Sequence, residues 1–124
     1  MAVELMGQDI GYLKANADLS SKQYYGMKFS TTDWTFQIAT AGACDAILQD
    51  KPAAAGRAGS LRISGGSKVV LGGTVTAGQH GTTDANGAFV AVTTDKQRYV
   101  CKFIEGGDSG DTVSAIMERG YYAV

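Results

Sequence analysis

Between Ala46 and Ala77, short apolar runs of β type alternate with glycine- and alanine-rich breaks, and almost no side chain suited to chemistry appears. Ala46-Ile47-Leu48-Gln49 leads through Lys51-Pro52 and Ala53-Ala54-Ala55-Gly56 to Leu61-Arg62-Ile63. Gly65-Gly66 separates that run from Lys68-Val69-Val70-Leu71, and Gly72-Gly73 precedes Thr74-Val75-Thr76. None of these runs is long enough to establish a helical period, and each is bounded by residues that favour reversals. The spacing predicts an all-β fold, a compact antiparallel sandwich or barrel of short strands with little helix. Gly65-Gly66 reads as a hairpin turn between two of them.

The same pattern extends in both directions. Tyr24 to Phe29 is one run, and Trp34-Thr35-Phe36-Gln37-Ile38 alternates so that Trp34, Phe36 and Ile38 share a buried face. Ala88 to Val92, Tyr99 to Ile104 and Val113 to Met117 complete eight or nine expected strands. Asp84-Ala85-Asn86-Gly87 is the clearest reversal, because Asn-Gly supplies the positive-φ positions of a tight turn. Ala41 to Gln49 reads either as a strand or as a short helical turn.

Residues 1 to 17 differ from the rest. Val3, Leu5, Met6, Ile10, Tyr12 and Leu13 are apolar, but Gly7 and Gly11 interrupt any helix and no period is clean. Two readings stay open: a first strand packed in the domain, or an arm that adds a strand to a partner's sheet. The division adopted is an N-terminal arm over 1–17 and a β-rich domain over 18–124.

A chain of 124 residues is long enough to bury a core without metal or disulfide staples. Its net charge of −1, with acidic and basic residues interspersed, leaves no footprint for a polyanion, so nucleic acid is not an expected partner. No apolar run approaches a membrane-spanning length, and the first twenty residues lack a secretory pattern, so synthesis in the cytoplasm is expected. Cys44 and Cys101 sit beside apolar runs, away from any CxxC pair or histidine, and read as buried reduced thiols.

Three motifs suggest chemistry and fail on spacing. Gly107-Asp108-Ser109-Gly110-Asp111 resembles the nucleophile loop of trypsin-like proteases, with His80 and then Asp84 or Asp95 upstream, but the chain is too short for the paired barrels that assemble such a triad. His80 itself falls in a polar segment that reads as an exposed loop. Asp84-Ala85-Asn86-Gly87 resembles part of a calcium loop, yet Thr93 stands where the bidentate glutamate belongs. Gly65-Gly66-Ser67-Lys68 lacks phosphate-loop spacing and is followed by Val69-Val70 instead of a helix. No catalytic, cofactor or metal residues are assigned, and an enzyme is not expected.

Several segments, taken in order, resemble the capsid decoration (cement) proteins of tailed bacteriophages, of the lambda-type head decoration kind. They are Asp18 to Tyr25, Ala46 to Ala53, Ser67-Lys68-Val69, Gly72 to Gly78 and Asp84 to Gly87, with a weaker echo from Gly107 to Val113. The resemblance implies a structural virion protein on the outer surface of an expanded icosahedral head, commonly a homotrimer at three-fold positions. Such a protein bridges neighbouring major capsid protein subunits through an N-terminal arm. It makes Val3, Leu5, Met6, Ile10, Tyr12 and Leu13 candidate capsid contacts, and the apolar C-terminus, Tyr121, Tyr122 and Val124, candidate subunit contacts. Tyr99 to Glu105 and Ile116 to Val124 are bulkier than the family pattern, which leaves a monomeric or dimeric cement open. The alternative is a carbohydrate- or cell-surface-binding β module of a phage fibre or adhesin, using Tyr24, Tyr25, Tyr99, Tyr121 and Tyr122 as a stacking surface.

Overall fold

The computed structural model describes residue 2 and residues 5–123. The described residues form ten strands: β1 Gly7–Ile10, β2 Lys14–Ala15, β3 Gly26–Phe29, β4 Thr35–Ile38, β5 Ala46–Leu48, β6 Leu61–Val70, β7 His80–Thr83, β8 Phe89–Ala91, β9 Arg98–Phe103 and β10 Thr112–Tyr121. No helix occurs among the described residues. The fold is all-β, with strand order β2-β4-β3-β5-β6-β10-β9-β7-β8 and β1 paired to β6 off that path. Every pairing between two of these strands is antiparallel except the two-residue contact of β2 with β4.

β6 carries the architecture. Its first half pairs with β5 (Ile47 with Arg62, Leu48 with Leu61) and with β1, while its second half, from Gly66 to Val70, pairs with β10. Gly65-Gly66 is therefore not the hairpin turn that two adjacent glycines suggest. Gly65 takes φ 86° inside a continuous strand, a conformation glycine adopts without Cβ strain, and the strand bends there from one half of the sheet into the other.

Two hydrophobic cores flank the bend. Ala15, Leu19, Met27, Phe36, Ala46, Leu48 and Leu61 fill one, and Ile47, Val69, Leu71, Phe89, Val100, Phe103, Val113 and Ala115 are among the residues filling the other. β5 serves both: period-two alternation sends Ala46 and Leu48 into the first core and Ile47 into the second, which is why its sequence is continuously apolar. The strand reading of Ala41 to Gln49 thus prevails over the helical turn. Two arginines brace the halves from the second core's strands. Arg98 Nη2 donates to the Cys44 carbonyl at 3.2 Å, and Arg119 Nη1 donates to that of Ile63 at 3.1 Å.

The reversal at Asp84–Gly87 lies where the sequence places it, and a second connection, 104–111, joins β9 to β10. Asp84 Oδ1 accepts from the Asn86 and Ala88 amides at 2.8 and 3.1 Å, and Gly87 has φ 80°. Thr74-Val75-Thr76 forms no strand; Val75 exchanges one reciprocal pair of backbone bonds with Gly107. Trp34 departs from its expected face. It ends the β3–β4 connection at φ 57° and is 69% exposed, while Phe36 is fully buried and Ile38 packs against the first core.

Candidate contact surface

The leader segment lies on the bend of β6. The register runs Gly7 with Gly65, Gln8 with Ser64, then after a bulge Asp9 with Arg62 and Ile10 with Leu61. The Gly66 amide continues the ladder by donating to the Met6 carbonyl at 3.0 Å. Arg62 fastens it: its guanidinium pairs with the Asp9 carboxylate, and Nη1 also donates to the carbonyl of Leu5 at 2.9 Å and to that of Gly66. The backbone at both glycines has to be bare for this approach. A Cβ on Gly65 would stand 2.5 Å from the Met6 carbonyl oxygen, and one on Gly66 would stand 2.5 Å from Leu5 Cδ1.

β1 and β2 thereby join the same sheet as the strands that follow. Of the leader candidates, Ile10 and Leu13 pack against the first core, and Leu5 lies over Gly66. Met6 and Tyr12 are the two with exposed side chains, at 94% and 85%. Val3 lies outside the described residues. At the other terminus Tyr121 is exposed, whereas Tyr122 is half-buried and tied by its backbone to Lys96 and Gln97 in the β8–β9 connection. Val124 lies outside the described residues.

Tyr12 does not stand alone. With Lys14 and Trp34 it lines a cleft of about 420 Å³ at the β2 end of the sheet. The alternation that would turn Trp34 inward is broken by its left-handed backbone, and Lys14 carries no sequence signal. The hint was local: Ser30-Thr31-Thr32-Asp33 precedes Trp34, a polar run that places the indole at the end of a loop.

The protease-like residues have other engagements. His80 begins β7 instead of lying in an exposed loop; its ring sits 3.9 Å from that of Tyr99, and Nε2 is 3.7 Å from Glu118 Oε1. In the Gly107–Asp111 turn, Asp111 Oδ2 accepts from the Asp108 amide at 2.9 Å, and Asp108 Oδ1 accepts from Thr74 Oγ1 at 3.1 Å. Cys44 and Cys101 are free, buried thiols in the second core. Desolvation pushes the Cys44 thiol up to about 12, and burial raises Cys101 as well.

Neither a protein-family model nor a curated protein matches the sequence. Among solved structures, the N base of head fiber gp8.5 in bacteriophage phi29 has a similar fold, with a TM-score of 0.73 and 15% identity. The likeness covers 94% of this chain and 100% of that one. At this level of identity it establishes a shared fold.

Proposed function

We propose that this chain is a structural protein of a tailed-phage virion that decorates the outer surface of the head and ties neighbouring major capsid protein subunits together. The observation that carries the reading is the end-to-end fold likeness to the base of a phage head fiber. The ordered segments resembling capsid cement proteins support it independently. No catalytic step, cofactor or nucleic acid enters this reading.

The mechanism is one of shared, repeated contacts. A protomer that touches two capsid subunits makes their separation break both contacts at once, so modest affinity per copy suffices on a lattice. On this chain the leader supplies one contact. With Ile10 and Leu13 committed to the first core and Leu5 to Gly66, Met6 and Tyr12 are the leader candidates left exposed among the described residues, and Met6 is the one taken to insert into a capsid pocket. A homotrimer would use the β9–β10 pair, where Tyr121, Ile104 and Ile116 are exposed.

Co-pelleting with expanded, undecorated heads tests the reading. Saturable binding by the native chain, lost in Met6→Asp, is the expected result. Binding retained by that variant moves the anchor to another face, and no binding by the native chain overturns the proposal.

A further inference from the structure

The cleft between Tyr12 and Trp34 has the features of a ligand site that the structural reading does not use. Both rings are largely exposed, so neither is held in place by core burial. Trp34 also sits at φ 57°, a left-handed conformation that an L residue with a bulky side chain adopts at a cost. The fold gains little from a tryptophan there, since Phe36 fills the core from the strand that follows. The cleft volume of about 420 Å³ falls in the range of small-molecule sites.

The chemistry of the lining selects the occupant. Aromatic faces carry the negative lobe of the ring quadrupole, which suits either a cation or the electropositive C–H face of a pyranose. Lys14 decides between them. It is exposed, and no carboxylate among the described residues pairs with it, so its ammonium repels a cationic ligand and attracts an anionic one. A peptide adding as a strand is disfavoured by the backbone. Lys14 N donates to Trp34 O at 2.8 Å, Ala15 N to Arg57 O at 2.8 Å, and Leu13 O accepts from Gly59 N at 3.0 Å, so both edges of β2 are already paired.

We propose that the Tyr12, Lys14 and Trp34 cleft binds an acidic saccharide, a carboxylated pyranose stacked on the aromatic rings with its carboxylate at Lys14 Nζ. The site is independent of capsid attachment and stands or falls separately from it.

Trp34 is the sole tryptophan, so its fluorescence reports the cleft directly. The intact chain, Tyr12→Ala and Lys14→Gln are titrated with oligogalacturonate, with neutral oligogalactose and with a hexa-aspartate peptide, after circular dichroism melts establish that the three proteins fold alike. Expected is a saturable change with oligogalacturonate, about tenfold tighter than with oligogalactose, and a loss of about tenfold or more in Tyr12→Ala. Lys14→Gln should erase the preference for the acidic sugar. No response to oligogalacturonate at about 10 mM overturns the proposal. So does an equal response to the neutral sugar that Lys14→Gln leaves unchanged, or a response to hexa-aspartate as strong as that to the uronate.

Discussion

Arg62, near the start of β6, holds Asp9 on β1 through a guanidinium–carboxylate pair while the same guanidinium donates to the carbonyls of Leu5 and Gly66. One side chain thus closes both the strand that precedes the bulge and the bend beneath it. The arginine is 12% exposed and the aspartate 32%, so the pair is shielded enough to differ from an ordinary surface bridge.

Replacing Arg62 by methionine keeps the buried stem but removes every donor. We expect the amides of Gly7 to Ile10 to exchange faster and global stability to fall by about 1.5 to 3 kcal/mol, the range for hydrogen bonds to charged groups. Asp9→Asn leaves the two carbonyl contacts in place and should cost about 1 kcal/mol or less. Native-state hydrogen exchange and urea unfolding check both; equal losses from the two variants would mean that the carbonyl contacts contribute nothing.

The two glycines of the bend fail for different reasons, and alanine separates them. Gly65→Ala forces a Cβ onto a left-handed backbone and against the Met6 carbonyl, which should cost at least about 1 to 2 kcal/mol in urea melts. In Gly66→Ala the new Cβ meets Leu5 at both Cδ1 and Cβ, 2.5 and 2.6 Å away, so a rotamer change cannot clear it and the leader backbone itself has to lift off β6. That variant should lose protection in the leader before it loses global stability.

β5 feeds both cores and β6 runs through both, so the halves should unfold together. Phe36→Ala empties the first core and Phe103→Ala the second, each by about 3 to 5 kcal/mol. Coincident transitions followed by circular dichroism and by tyrosine absorbance are expected in both variants. A second transition in either one would show two independent folding units.

The all-β class was legible because short apolar runs between turn residues leave a chain few other options, and Asp84 to Gly87 was legible because its turn is closed by its own side chain. What escaped depends on tertiary partners. Gly65-Gly66 has the local chemistry of a hairpin, but β1, β5 and β10 pair along both sides of it and keep the strand continuous. Trp34 fits the alternation of Phe36 and Ile38 perfectly well by sequence; only the left-handed turn before β4 shows it facing solvent. His80 looked polar by its neighbours in sequence and is covered by Tyr99, which lies nineteen positions later in the chain. Of the candidate surface, Met6 and Tyr12 are among the expected leader contacts; Lys14 lies in the leader but gives no apolar signal, and Trp34 lies outside it, because the cleft joins segments that are distant in sequence.

The cysteines give a pH dependence of known sign. The Cys44 thiol ionises at an ordinary value of 9.0 when unfolded and only at about 12 in the fold, because desolvation disfavours the thiolate. A group raised in the folded state contributes stability that is intact below the unfolded value and is lost as pH climbs towards the folded one. Unfolding free energy should therefore be level with respect to these thiols up to about pH 9 and decline between 9 and 12, more steeply than in Cys44→Ala. Ellman's reagent at pH 8 should find no reactive thiol in the native chain and two after denaturation.

Trp34 separates what the fold needs from what the cleft needs. Its backbone is left-handed and its ring is mostly in water, so glycine at this position removes a conformational cost of about 1 to 2 kcal/mol and forfeits little packing. Glycine also frees the unfolded chain, which takes back about 0.5 to 1 kcal/mol. The balance predicts that Trp34→Gly is neutral to about 1 kcal/mol more stable in urea melts read by circular dichroism, and that Trp34 emission in the native chain is already close to that of the unfolded one. A loss of stability in Trp34→Gly would show that the indole packs into the fold and that its strain is repaid there. A gain, together with lost binding of the acidic saccharide by calorimetry, would mean that the strained conformation is retained for the site and not for the sheet.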